Sequence, residues 1–240
     1  MGPALRLALV AVIAPGDRFT DRAEAGDRLG RRLDHLRASD PVILGMARGG
    51  VPVAHRVASH LDAALDVVLV RKLGHRPQPE LGLGAIGEGG VRVLNEPLLA
   101  RLAVPTAEID AIAAAETLEL ERRLRLYRGD RPLVPLGGRT VIVVDDGLAT
   151  GFTALAAVAS VRCRRPARIV MAVPVGSPGA VALLEEVADT VLCLETAARF
   201  SGIGQCYADF HQVTDGEVTR LLDRSPARST THSPDGPETP

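Results

Sequence analysis

Apolar residues recur at helical or strand spacing in alternating blocks along the first half of the chain. Residues 20–37 carry alanine and leucine at helical spacing among many charges, which predicts a surface helix with Thr20 or Asp21 as its N-cap. PVILGM (41–46) and DVVLVRKL (66–73) predict buried strands, and VPVAHRVASHL (51–61) between them predicts a helix. Residues 74–90 are rich in glycine and proline and therefore predict a loop.

The same alternation continues through the second half of the chain. A long helical pattern covers residues 106–128, and turn residues then lead into the strand VIVV. The segments that follow are helix 151–162, strand 167–173, helix 178–188 and strand 190–194. Such alternation favours right-handed crossovers between parallel strands. The predicted fold class is therefore α/β, a parallel twisted sheet with helices on both faces.

One main domain is expected over residues 19–224, because 240 residues suffice for one sizeable core. Residues 1–18 are expected to be an N-terminal extension. The apolar run within them, LRLALVAVIA, is too short to span a bilayer and lacks a clean cleavage site. Residues 225–240 are dominated by Ser, Thr, Pro and charge and cannot bury enough apolar surface, so we expect a disordered tail.

Charge and cysteine content narrow the classes of partner. The formal net charge is −1 with both signs interspersed, so no basic face for nucleic acid is expected. The three cysteines are far apart and lack metal-ligand spacing, which is typical of a reduced, cytoplasmic protein. We therefore expect a cytoplasmic protein with a small-molecule partner, without a nucleic-acid or membrane partner.

The stretch VIVVDDGLATGFT, residues 141–153, carries the most specific chemistry in the sequence. A buried strand ends in Asp145 and Asp146, and a turn of small and hydroxyl residues leads into a helix. Exposed amides at that helix N-terminus, the helix dipole and the hydroxyls of Thr150 and Thr153 favour a bound phosphate. Carboxylates would repel a phosphate, so they must serve ribose hydroxyls or a magnesium ion. The stretch therefore predicts a sugar-phosphate site.

Two further segments place basic residues after predicted strands. In MARGGV, residues 46–51, adjacent glycines let backbone amides turn toward an anion, and Arg48 adds bidentate donors. Lys72, the sole lysine among 28 basic residues, ends the next strand beside Arg71. A position that stays lysine in an arginine-biased chain favours a role for a compact ammonium on a flexible stem. A chance lysine on a solvated strand end is the alternative.

These segments together resemble the type I phosphoribosyltransferases, over about residues 19–222. In that family an acidic pair holds the ribose hydroxyls and the following turn holds the 5-phosphate. The resemblance implies the first role for Asp145 and Asp146, and the second for Ala149, Thr150, Gly151, Phe152 and Thr153. It implies pyrophosphate binding by Arg48, Gly49, Gly50, Arg71 and Lys72.

The resemblance also implies a reaction, the transfer of the ribosyl 5-phosphate group from phosphoribosyl pyrophosphate to a nitrogenous acceptor with release of pyrophosphate. Lys72, Arg48, Asp145 and Asp146 would then be catalytic residues. The implied cofactor is Mg²⁺, held mainly by the substrate, with Asp145 or Asp146 as a further ligand. A homodimer and a flexible loop over residues 74–90 that closes on the site are implied as well. The acceptor is not identified by the sequence.

The acceptor pocket rests on fewer signals. Phe200, Tyr207 and Phe210 are three of the six aromatic residues in the chain, which favours either a stacking surface for a base or the small core of a lid. Residues 195–215 resemble the small C-terminal hood segment of an uncharacterised bacterial branch of the same family. A non-catalytic sensor of phosphoribosyl pyrophosphate or of a nucleotide, with the same fold, is the alternative to an enzyme.

Overall fold

A six-stranded parallel sheet lies at the centre of the computed structural model, which describes residues 11–12, 18–196 and 202–224. In chain order the strands are β1 (Ala11–Val12), β2 (Val42–Met46), β3 (Ala64–Val68), β4 (Val70–His75), β5 (Gln78–Gly87), β6 (Val91–Leu94), β7 (Thr140–Val144), β8 (Arg168–Gly176) and β9 (Thr190–Thr196). The central sheet has the order β1, β9, β8, β7, β2, β3, and each neighbouring pair in it is parallel.

Helices cover both faces of this sheet. They are α1 (Arg22–Leu33), α2 (Gly50–Leu61), α3 (Glu96–Leu102), α4 (Thr106–Arg128), α5 (Phe152–Arg162), α6 (Pro178–Glu185) and α7 (Asp215–Asp223). One apolar cluster joins α1, α2, α4 and α7 to Ile142 and Val144 of β7, and a second joins α5 and α6 to Val141 and Val143. Alternate residues of one strand thus enter opposite cores, which confirms the predicted α/β class with helices on both faces.

Most predicted helices agree closely with the structure. The predicted helix 106–128 coincides with α4, and α2 and α5 begin within one residue of their predicted starts. Asp21 is the N-cap of α1, and its side chain accepts a hydrogen bond from the Glu24 N–H. After Leu33 the chain continues as a 3₁₀ helix to Ser39. The helices α3 and α7 were not predicted from the sequence.

The strand order reverses between β2 and β7. From β2 the chain passes through α2 to β3 at one edge of the sheet, whereas from β7 it passes through β8 and β9 toward the other edge. In open parallel sheets, ligands bind in the crevice beyond the carboxyl ends of the strands at such a reversal. The segments that follow β2 and β7 are therefore where this fold favours a site.

Residues 66–94 differ from the sequence prediction. The predicted strand 66–73 is divided between β3, in the central sheet, and β4, which forms a second, antiparallel sheet with β5 and β6. Residues 74–90, predicted as a flexible loop, contain the whole of β5. Leu81, Leu83 and Ala85 have strand spacing, and the last two are fully buried. Their burial outweighs the weak strand preference of the intervening glycines, which is why the loop prediction is wrong.

The two ends of the chain are described in part. The strand β1 falls within the expected N-terminal extension and pairs in parallel with β9. The predicted tail, residues 225–240, lies outside the described residues. No helix among the residues described is both long enough and apolar enough to cross a membrane.

A buried ion network connects the second sheet to the first. Arg128, at the end of α4, donates to the Asp66 carboxylate at 3.1 Å and to both carboxylate oxygens of Glu88 at 2.9 and 3.1 Å. Glu88 also accepts the Leu69 N–H at 2.9 Å, and Asp66 accepts the Val134 N–H at 3.1 Å. Because one planar guanidinium serves two carboxylates, the network fixes β3, the end of β5 and the end of α4 relative to one another.

Replacing Arg128 by methionine leaves the carboxylates of Asp66 and Glu88 buried without this cation. We expect the free energy of unfolding to fall by about 3–5 kcal/mol, the usual cost of removing one partner of a buried pair. Arg122→Met, on the same helix, is the matched control, because Arg122 pairs with Glu119 at the exposed surface. Urea denaturation should show no measurable loss of stability for this control, because an exposed ion pair contributes little. Equal losses for the two variants would contradict the proposed role of the network.

Candidate active site

A cavity of about 460 Å³ lies beyond the carboxyl ends of β2 and β7. Arg48 and Gly49, which follow β2, line it on one side. Asp145, Asp146 and Thr153, which follow β7, line it on another. The structure thus brings the predicted acidic pair and both predicted anion-binding loops together at the reversal of strand order.

The two carboxylates of the acidic pair have different surroundings. Asp146 is buried, and its Oδ2 accepts a hydrogen bond from Arg22 Nε at 2.9 Å and forms an ion pair with Nη2 at 2.8 Å. Asp145 is largely surrounded by protein but keeps some exposed surface where it lines the cavity, and its Oδ1 accepts the Asp146 N–H at 2.9 Å. Burial, and then the neighbouring carboxylate, raise the pKa of Asp145 well above its ordinary value. Burial also raises the pKa of Asp146, and Arg22 opposes that rise. The pair is therefore compensated by one buried cation.

Arg22 is a cavity residue that sequence reasoning missed. It is the first residue of α1 and is only 7% exposed. Its guanidinium lies 3.9 Å from the ring centroid of Phe210 and donates to the His211 carbonyl at 2.8 Å. The helix carries several other arginines, and spacing alone does not separate a buried one from a solvated one. A cation at the first position of a helix, where the dipole disfavours it, is the signal that could have identified it.

The aromatic residues of the hood segment differ in role. Tyr207 is 2% exposed, and its hydroxyl donates to the Asp146 carbonyl at 2.6 Å. Its ring packs against Phe19, at 5.4 Å, and against Phe210, at 5.1 Å between centroids. This burial corrects the prediction that Tyr207 is part of the base pocket, because the ring has no accessible face. Phe210 does line the cavity, and Phe200 lies outside the described residues.

The turn between β7 and α5 is held against the neighbouring strand. The Leu148 N–H donates to the Val175 carbonyl, and the Leu148 carbonyl accepts the Ser177 N–H, both at 2.9 Å. Ser177 Oγ donates to the Ala149 carbonyl at 2.7 Å. Gly151, the N-cap of α5, has a φ of 83°, which glycine adopts at little cost. The backbone of the turn is therefore held in place by contacts within the protein.

The start of α5 can accept an anion. The first N–H groups of a helix have no partner within it, and Gly151 has no side chain to cap them. Thr153 faces the cavity, while Ala149 and Thr150 are exposed. Backbone amides and a threonine hydroxyl at a helix N-terminus are suitable donors for phosphate oxygens.

The glycines after β2 allow this loop to approach the acidic pair. A Cβ on Gly49 would lie 2.1 Å from Oδ2 of Asp146, and a Cβ on Gly50 would lie 2.5 Å from the Val144 carbonyl oxygen. Side chains are therefore excluded at both positions by the end of β7. The sequence assigned these glycines to anion binding, and the structure gives them a packing role as well.

Arg48 lies in the same loop, follows a cis peptide bond from Ala47, and lines the cavity. Its Nη1 lies 3.8 Å from Oδ1 of Asp215, at the start of α7. The Asp215 carboxylate also accepts the Tyr127 hydroxyl of α4. The pyrophosphate loop predicted from the sequence is thus linked to two helices through one carboxylate.

The two basic residues of β4 lie on opposite faces of the strand. Val70 lines the cavity, and Lys72 is two residues further along, on the same face. Arg71 is on the other face, where its Nε pairs with Glu116 of α4 at 2.7 Å. Of the two predicted residues, Lys72 therefore has the register of the cavity wall and Arg71 is engaged with α4.

Residues 22–210 match the family model described as phosphoribosyl transferase domain. This chain belongs to the phosphoribosyl transferase domain family. The matched region begins at Arg22 and ends at Phe210, the two residues whose side chains stack at the cavity.

Relatives and a solved structure agree with this membership. Two Mycobacterium tuberculosis proteins, one from each of two strains and each named "Putative phosphoribosyl transferase", are 47% identical to the chain over 207 residues. The match covers 86% of this chain and 47% of each relative, so the chain spans about half the length of the curated relatives it matches. The crystal structure of TT1426 from Thermus thermophilus is 43% identical, with a TM-score of 0.72 over 85% of this chain and 97% of that one. The phosphoribosyltransferase-type fold predicted from the sequence is thereby confirmed.

Both tyrosines of the chain donate their hydroxyls to residues at or next to the cavity, Tyr127 to the Asp215 carboxylate and Tyr207 to the Asp146 carbonyl. Burial, and then the hydrogen bond to Asp215, raise the pKa of Tyr127 to about 12. Burial, and then the Asp146 charge, raise the pKa of Tyr207 above its ordinary value. Because the folded-state pKa values exceed those of the unfolded chain, the stability that these phenols contribute is fully present below pH 10.0, the ordinary value, and is lost as the pH rises toward about 12.

We expect the tyrosinate absorbance of the folded protein to rise only near pH 12 or above. The same protein unfolded in urea should titrate near pH 10.0, the ordinary tyrosine value. Tyr127→Phe leaves Tyr207 as the one phenol and should move the folded-state titration to still higher pH. A folded-state transition near the ordinary value in either protein would show that these hydroxyls are exposed to water.

Proposed function

We propose that the chain transfers the ribosyl 5-phosphate group from phosphoribosyl pyrophosphate to a nitrogenous acceptor and releases pyrophosphate. The observation that carries the proposal is the meeting of two loops at one cavity. The sequence assigned residues 46–51 to pyrophosphate and residues 141–153 to ribose 5-phosphate, and both line the same 460 Å³ space. A donor that carries both groups on one ribose matches this pairing.

The ribose 5-phosphate half of the donor is assigned to the end of β7. Asp145 would accept hydrogen bonds from the ribose hydroxyls. Asp146 would accept them through its Oδ1, because Arg22 contacts its Oδ2. The 5-phosphate would bind to the amides and hydroxyls of the run Ala149, Thr150, Gly151, Phe152 and Thr153. The hydrogen bonds that hold this turn against residues 175–177 support the assignment, because a rigid anion site loses less entropy on binding.

The pyrophosphate half is assigned to the loop after β2 and to β4. Arg48 would bind pyrophosphate oxygens through its guanidinium, with the amides of Gly49 and Gly50 beside it. Lys72 lies on the face of β4 that includes the cavity residue Val70. Because Arg71 points to the opposite face, toward α4, we propose Lys72 as the principal basic residue of this strand on the side of the cavity.

The residues assigned to the reaction act by stabilising charge. As the bond to pyrophosphate breaks, negative charge gathers on the leaving group while the ribose carbon becomes oxocarbenium-like. Arg48 and Lys72 would stabilise the first change, and the carboxylate of Asp145 near the ribose would stabilise the second. We assign no general base, and we propose that the acceptor enters at the wall formed by residues 210–213.

Magnesium fits the donor set of the cavity. Mg²⁺ prefers oxygen ligands and binds in such sites through one or two carboxylates together with substrate phosphate oxygens. Asp145 presents a carboxylate to the cavity, whereas Oδ2 of Asp146 is already paired with the Arg22 guanidinium. The part of the chain that the structure describes contains no group of three or more His, Cys, Asp or Glu side chains suited to a metal ion. We propose that Asp145 would hold the ion together with substrate oxygens, and that the ion would supply positive charge beside the pyrophosphate group.

Pyrophosphate release tests the proposal directly. The protein is incubated with phosphoribosyl pyrophosphate, Mg²⁺ and a panel of purines, pyrimidines and other nitrogen nucleophiles. Release that depends on the protein and on one acceptor supports transfer. Tight binding of phosphoribosyl pyrophosphate without release for any acceptor would instead favour the non-catalytic sensor.

Asp145→Asn should separate ligand binding from stability. A neutral amide binds ribose hydroxyls less strongly than a carboxylate, so we expect calorimetric affinity for phosphoribosyl pyrophosphate to fall about 10- to 100-fold. Stability should not fall, because the variant removes one of two adjacent like charges. Asp223→Asn, which changes an exposed carboxylate on α7, is the matched control. Unchanged affinity in a folded Asp145→Asn protein would remove this residue from the site.

A further inference from the structure

We propose that Arg22 is a positioning residue that couples the acidic pair to the acceptor-side wall of the cavity, residues 210–213. The inference rests on the proposed function, since it assumes that a sugar phosphate binds at the acidic pair. Arg22 itself acts through its neighbours, by holding the Asp146 carboxylate and the hood segment in one arrangement.

The contacts of Arg22 join two parts of the site that are far apart in sequence. Its Nε donates to Oδ2 of Asp146 at 2.9 Å and its Nη2 lies 2.8 Å from the same oxygen, while Nη1 donates to the His211 carbonyl at 2.8 Å. The guanidinium plane covers the Phe210 ring at 3.9 Å. One rigid, planar group therefore fixes a carboxylate at the end of β7 and the backbone of the opposite wall at once.

Helix stability does not account for an arginine at this position. Arg22 is the first residue of α1, where the helix dipole favours anions and disfavours cations. The helix already has a side-chain cap, since Asp21 accepts the Glu24 N–H at 2.8 Å. Burial of the guanidinium is costly unless its donors are paired. The described partners of these donors, Asp146 and the His211 carbonyl, both line the cavity, so the contacts of Arg22 serve the site.

The wall itself lies between two anchored parts of the chain. Backbone pairing holds the segment before it, through the Ala208 N–H to the Phe19 carbonyl at 2.7 Å and the Asp209 N–H to the Thr20 carbonyl at 2.9 Å. The segment after it enters α7 at Asp215. Between these anchors, Arg22 provides a hydrogen bond to the backbone and a stacking contact to a side chain.

The same link extends to the ribose side. The Asp146 N–H donates to Oδ1 of Asp145 at 2.9 Å, and Tyr207, just before the wall, donates its hydroxyl to the Asp146 carbonyl at 2.6 Å. A ligand that fixes the acidic pair must therefore also stabilise the Arg22 contacts to the wall. Because coupling between two sites is reciprocal, an ordered wall in turn favours ligand binding at the acidic pair.

Hydrogen exchange with ribose 5-phosphate as the probe tests this coupling. In the wild-type protein, saturating ribose 5-phosphate should slow amide exchange in residues 210–213, which follow the acidic pair by more than sixty positions. In Arg22→Met the ligand-free exchange of these residues should be faster by about tenfold, and the further slowing by ligand should disappear. Calorimetric affinity for ribose 5-phosphate should fall by about the same factor, which is typical of coupling between sites.

Arg56→Met is the matched control. Arg56 makes a two-bonded pair of the same chemistry with Asp27, at 2.7 and 2.8 Å, but the pair joins α1 to α2 at the surface and lies away from the cavity. This control should leave both exchange in residues 210–213 and probe affinity unchanged. If Arg22→Met does not fold, Arg22→Lys replaces it. The lysine keeps the charge but cannot serve Asp146 and His211 together, so coupling should still be lost.

The outcomes separate this inference from the proposed function. Ligand-dependent slowing that persists in a folded Arg22 variant overturns the inference, as does a wild-type protein whose wall does not respond to ribose 5-phosphate. Slowing in the wild type alone, without pyrophosphate release for any acceptor, supports the coupling and counts against the transferase. Pyrophosphate release by the wild type, with unchanged coupling in the variant, supports the transferase and rejects the role of Arg22.

Discussion

The structure is arranged around two adjacent carboxylates at the end of a buried strand. Removing such charges from water costs several kcal/mol for each ion unless they are paired and hydrogen-bonded. The chain meets this constraint with Arg22 from α1, whose guanidinium pairs with the Asp146 carboxylate, while the Tyr207 hydroxyl of the hood segment binds the Asp146 backbone carbonyl. Both contacts reach Asp146, from positions 124 and 61 residues away. The Asp146 carboxylate therefore gains its cation only when α1 packs at the end of β7, and the hood segment holds the backbone beside it, which makes the site and the tertiary fold interdependent.

The same constraint explains why the neighbouring loop is rich in glycine. The reversal of strand order places the segment after β2 directly beside the end of β7. Asp146 then occupies the space that a side chain on Gly49 would need, and the β7 backbone occupies the space beside Gly50. From the sequence alone, such adjacent glycines are expected to turn their amides toward an anion. Here the close packing of the loop against the Asp146 carboxylate and the β7 backbone already requires glycine at both positions. The lack of side chains also leaves the loop backbone open to the cavity.

Sequence patterns predicted those parts of the fold that depend on local periodicity. The bounds of α4, the strand β7 and the alternation of helices and strands follow from spacing alone. Burial that depends on distant partners was missed. The apolar run 66–73 gave no sign that the chain changes sheets near Leu69, a change supported by Glu88 and Arg128. For Tyr207, the aromatic signal correctly marked a packed region but could not tell a buried support from an exposed stacking face.

The basic residues of the site differ in how much charge they can offer an anion. Arg22 is matched by Asp146, so this pair adds little net positive charge to the cavity. Arg48 faces Asp215 at 3.8 Å, with both side chains partly exposed. A partly exposed pair at that separation contributes little stability, so a multiply charged phosphate ligand can compete with Asp215 for the Arg48 guanidinium. Under the proposed function, the planar guanidinium of Arg22 thus keeps Asp146 and the wall at His211 in a fixed arrangement. Arg48 and the flexible ammonium of Lys72 then respond to the charge of the leaving group.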